Sequence, residues 1–68
     1  MDKYTYRGEY ETVEFQVGKP VGFKYDVEQY SEVLEIDARR QQVLVTIWEG
    51  EYATPGTQMW IEMDRCWN

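Results

Sequence analysis

Carboxylates are the only side chains here whose number and spacing approach what acid–base chemistry needs. Glu9 and Glu11, and likewise Glu49 and Glu51, stand two residues apart. On a strand that spacing puts both carboxyls on one face, about 6.5–7 Å apart. Such a pair suits proton transfer only if burial in a cleft raises one pKa, and 68 residues leave little interior for a cleft. Histidine is absent and Cys66 is the sole cysteine, which removes histidine-based triads, a Cys/His zinc site and any internal disulfide. Ser31 is the sole serine and lies in no G-x-S-x-G elbow; G-x-G-x-x-G, a phosphate-binding loop and a D-x-D-x-D-G calcium loop are also missing. The sequence therefore reads as non-catalytic, with no metal and no cofactor. Cys66 reads as a small buried hydrophobe.

What remains is binding chemistry. Aromatics make up 16% of the chain, and 13 acids against 7 bases give a net charge of −6. An acidic surface is unsuited to wrapping nucleic acid phosphates, so no direct nucleic-acid binding is expected. Tyr30, Trp48 and Trp60 fall on the opposite strand parity from the clearest aliphatic rows, as do Leu34, Ile36 and Leu44. Together with Tyr52, the three rings are the candidate anchors of a protein interface, because Trp and Tyr supply most binding energy at such surfaces. Glu32, Glu35 and Glu62 are the candidate polar rim that would steer a basic partner. Two plainer readings compete: the acids only solubilise the chain, and the second aromatic row packs beneath an N-terminal extension. Arg39 and Arg40, the one basic pair, read as an exposed hairpin tip.

Alternation with period two runs through the chain and sets the elements that would carry these residues. Val13, Phe15 and Val17 alternate with polar neighbours, and after Gly18-Lys19-Pro20 so do Val21, Phe23 and Tyr25; all six are expected to face inward. Further strands are expected over 30–37, over 42–48 with Val43, Val45 and Ile47 as the apolar row, and around Met59, Ile61 and Met63. Residues 4–10 offer a sixth. Asp37 to Gln41 reads as a hairpin tip, Thr54-Pro55-Gly56-Thr57 as a type II turn, and 64–67 as a terminal turn. At this length one domain is expected, covering 1–68 with 1–16 as an N-terminal strand extension. The chain is all-β, and a small five- to six-stranded antiparallel barrel would remove its exposed edges.

The stretches Val21-Gly22-Phe23-Lys24-Tyr25, Tyr30 to Asp37, Gln42 to Gly50 and Met59 to Met63 resemble an SH3-like barrel of the Tudor and KOW type over roughly residues 17–64. Such domains read as a short first strand, an aromatic, a V-x-x-I-D strand, a turn, a strand ending in an aromatic, an acid and glycine, and a closing W-I/V strand. Ser31-Glu32 departs from the glycine often found after the first aromatic segment. The resemblance implies a non-catalytic interaction module. It also implies one specialised use, an aromatic cage gripping methylated lysine or arginine by cation–π attraction, for which Tyr25, Tyr30, Trp48 and Tyr52 hold matching positions. From another class comes a small acidic phage-type inhibitor that blocks a nucleic-acid-handling host protein by mimicking phosphates. A homodimer seam is a further use of the aromatic face. With no apolar leader at the start, no run of ~20 apolar residues and one cysteine, the expected setting is cytoplasmic, away from membranes.

Overall fold

The structure, a computed structural model, describes residues 1–24, 27–49 and 54–68, apart from the side chain of Glu49. Among the described residues seven strands form in chain order: β1 (Lys3–Arg7), β2 (Thr12–Gln16), β3 (Pro20–Lys24), β4 (Glu28–Asp37), β5 (Gln42–Glu49), β6 (Gln58–Glu62) and β7 (Cys66–Trp67). A single 3-10 turn, Met63–Arg65, precedes β7, and no α-helix occurs among the described residues. The fold is all-β, as the period-two pattern requires, but the strands divide between two antiparallel sheets. β1 and β2 pair only with each other, and the larger sheet has the order β6-β5-β4-β3-β7.

Each sheet turns its alternating apolar row toward the other. Val13 and Phe15 of β2 are buried, and Tyr4 and Tyr6, their cross-strand partners on β1, pack against the same core. The larger sheet contributes Val21, Phe23, Val33, Val43, Val45, Ile47 and Ile61, joined by Met63 and Cys66. Val17 departs from expectation: it lies past the end of β2 and is 37% exposed. There the chain turns a corner between sheets. Lys19 N–H donates to Gln16 O at 3.0 Å, and Gly18 and Lys19 then bond to both backbone groups of Val33. β2 and β3, neighbours in sequence, therefore do not pair.

The strand count exceeds the five or six expected because residues 66–67, read as part of a turn, pair with Gly22 and Phe23 of β3. Asn68 then reaches the smaller sheet, where its carboxamide donates to Glu14 O and accepts from Glu14 N–H at 3.5 Å. The 54–57 turn matches its reading: Thr57 N–H donates to Thr54 O at 3.0 Å and Gly56 has φ +93°, the left-handed position a type II turn reserves for glycine.

Two bulges in the β4–β5 ladder shape the outer surface. Val33 pairs with Val45 but Glu35 with Leu44, so Leu34 is an extra residue and the parity of β4 inverts beyond it. Ile36 consequently faces inward, opposite Val43, and packs on the core; the sequence period had put it outside. Glu35 turns outward in exchange.

Candidate protein interface

The outer face of the five-stranded sheet can be built from the pairing register, because directly opposed residues share a face. One row runs Trp60, Leu44, Glu35, and the next Gln58, Thr46, Glu32, Pro20. A third holds Tyr30, Gly22 and Trp67. Trp48 sits beside it as the extra residue of the second bulge, which falls between Tyr30 and Ser31. Glu62 extends the face beyond Trp60 and accepts a hydrogen bond from Gln42 Nε2 at 3.2 Å. Tyr30 is 47% exposed, Trp48 48% and Trp60 44%, so these rings do not pack beneath an N-terminal layer. Three of the four expected anchors and all three rim carboxylates thus share one surface.

Tyr52 and Tyr25 lie outside the described residues, and with them half of the suggested aromatic cage. Trp67 is the residue sequence reasoning missed. Its indole lies against the backbone of Gly22 so closely that a Cβ there would stand 2.5 Å from Trp67 Cε2. Its ring meets Tyr30 edge to face, centroids 6.5 Å apart at 82°. The signal was the lone glycine inside an otherwise bulky strand, which marks a close approach by another group.

Ser31 and Arg40 make bonds within the fold. Ser31 is fully buried and its hydroxyl donates to Val21 O at 2.9 Å across β3 and β4. Arg40 braces its own hairpin tip: its N–H donates to Asp37 Oδ1 at 3.0 Å, and its Nε stands 3.8 Å from Asp37 Oδ2; Arg39 beside it is exposed. Burial pushes the Cys66 thiol up from its ordinary 9.0 to about 12, with the charge of Asp64 adding to the shift. A thiol so raised is a poor nucleophile at neutral pH. Among the described residues, no three Asp, Glu or Cys side chains gather to hold a metal ion, and no helix is long and apolar enough to cross a membrane. A depression of about 320 Å³ beside the β1–β2 turn is lined by Tyr6, Tyr10, Glu9, Glu11 and Asp64, away from the aromatic rows.

Comparison with protein-family models, with curated proteins and with solved structures finds no match to this chain.

Proposed function

We propose that this chain is a non-catalytic interaction domain that binds a protein with a basic surface through the outer face of its five-stranded sheet. One observation carries the reading: Tyr30, Trp48 and Trp60 are each nearly half exposed on a face that also holds Glu32, Glu35 and Glu62. Large rings gathered on one exposed face mark an interaction surface, and the carboxylates around them select the sign of the partner's charge. An SH3-like arrangement is part of the proposal. It is supported by the long β4, whose Val33 bonds to the corner after β2 while the strand pairs with β3 and β5, and by Asn68, which ties the end of the large sheet to β2. A reducing, cytoplasmic setting accords with the buried, unpaired Cys66.

Affinity capture from a nuclease-treated extract, washed at low and high salt, tests the reading with a Trp48→Ala/Trp60→Ala bait alongside. The partner is expected to survive high salt and to be lost with the double variant, while the variant keeps its cooperative melting. A partner that washes off in salt, keeps the variant bait and binds nucleic acid would replace this reading with that of an acidic phosphate mimic.

A further inference from the structure

We infer that the Tyr30–Trp67 ring pair over Gly22 is an arginine-recognition site, which reads an unmodified guanidinium on the partner surface. The inference rests on the proposed interface and names the chemistry that one end of it selects.

Three observations carry it. First, Trp67 lies close against the Gly22 backbone and meets Tyr30 edge to face, so the two rings form one aromatic surface. A planar cation stacks on such a platform, and arginine, delocalised and weakly hydrated, does so better than lysine. Second, Tyr30 is flanked on its own strand by Glu28 and Glu32, which share its face and stand about 6.5–7 Å to either side. A guanidinium over the rings reaches one of them with its fork of N–H donors. Third, Glu32 has Pro20 opposite it on β3 and Thr46 opposite it on β5, so no cation neutralises it across the sheet, whereas Glu28 faces Lys24. None of Glu28, Glu32 and Glu35 is held in an ion pair among the described residues. Glu32 is therefore the carboxylate free to accept.

The same geometry separates this site from a methyl-ammonium cage. A cage surrounds a head group whose hydrogen-bond donors are blocked, while here carboxylates flank the rings and need donors; methylation keeps the charge but removes that bidentate bond.

The test is a titration of the full chain with three labelled peptides of one length: glycine–arginine repeats, glycine–lysine repeats, and the arginine peptide asymmetrically dimethylated. Binding is read by fluorescence anisotropy, and the Trp67 indole N–H by NMR. The arginine peptide is expected to bind at least about fivefold tighter than either of the others, with the Trp67 resonance shifting on binding. Glu32→Gln and Tyr30→Leu should each erase the preference for arginine over lysine. Glu32→Gln is nearly isosteric and half-buried, so its folding, checked by melting, keeps the test valid if the Tyr30 variant loses stability. Equal binding of arginine and lysine, preference for the methylated peptide, or an unaffected Glu32→Gln variant would each overturn the inference. Loss of the arginine preference while capture still depends on Trp48 and Trp60 would remove this site alone. Capture indifferent to Trp48 and Trp60 would remove the interface itself.

Discussion

Gly22 and Trp67 occupy adjoining space that admits no further atom. A methyl group at residue 22 would stand 2.5–2.8 Å from three atoms of the indole, and an aromatic ring on a short strand can yield only by leaving. Gly22→Ala is therefore expected to destabilise the domain by about 1–3 kcal/mol, the usual range for overpacking, despite alanine's lower unfolded-state entropy. Chemical denaturation measures the loss, and a changed Trp67 indole N–H resonance would report its displacement. An unchanged midpoint with an unshifted indole would show that the ring does not rest on this backbone. Ser31 makes the complementary case at the same scale. The sequence marked it only as the sole serine, outside any nucleophile elbow, and its fully buried hydroxyl donates to the Val21 carbonyl.

Strand β6 shows most directly how one element divides between interior and surface. Ile61 is wholly buried opposite Val43, while Trp60, its neighbour, is 44% exposed opposite Leu44. Removing Ile61, wholly buried in the core cluster, opens a cavity there, so Ile61→Ala should cost about 2–5 kcal/mol. Trp60→Ala removes a ring already half in water, and its melting temperature should fall far less. Thermal melts of the two variants check the contrast; similar losses would make Trp60 a core residue and withdraw it from the interface. Alternation alone assigned both residues, because β6 keeps an unbroken register with β5. On β4 the same rule failed beyond Leu34. A bulge is a property of the ladder between two strands, so no feature of β4 alone announces that Ile36 turns in and Glu35 out.

For the molecule as a whole, Cys66 links stability to pH. Its thiol ionises at an ordinary 9.0 when exposed but only near 12 when folded, through burial first and the Asp64 charge second. Below pH 9 both states hold the proton and the linkage is silent. Between 9 and 12 the unfolded chain releases it and the folded chain does not, so stability falls as pH rises. Denaturation curves for the native chain and for Cys66→Ala, taken across that range, should differ in slope, with the native chain losing stability more steeply. Parallel slopes would show that the thiol is not shielded. At this scale Tyr30, Trp48, Trp60 and the three carboxylates were legible one by one, but their common face depended on a register spanning three strands, β4, β5 and β6.

By itself the sequence determined that the chain is built of strands, which rows of Val, Phe and Ile are buried, Val17 and Ile36 excepted, and which chemistries have no residues to carry them. Those properties follow from side-chain type and period-two spacing, which act locally and need no knowledge of the partner strand. Only the tertiary structure decided that β1 and β2 form their own sheet, that residues 66–67 pair with β3, and that Trp67 completes the aromatic face over Gly22. These depend on contacts between residues as far apart as Gly22 and Trp67. A short apolar segment of two residues is a turn or a strand according to which edge lies open beside it, and that edge exists only once the sheet has formed.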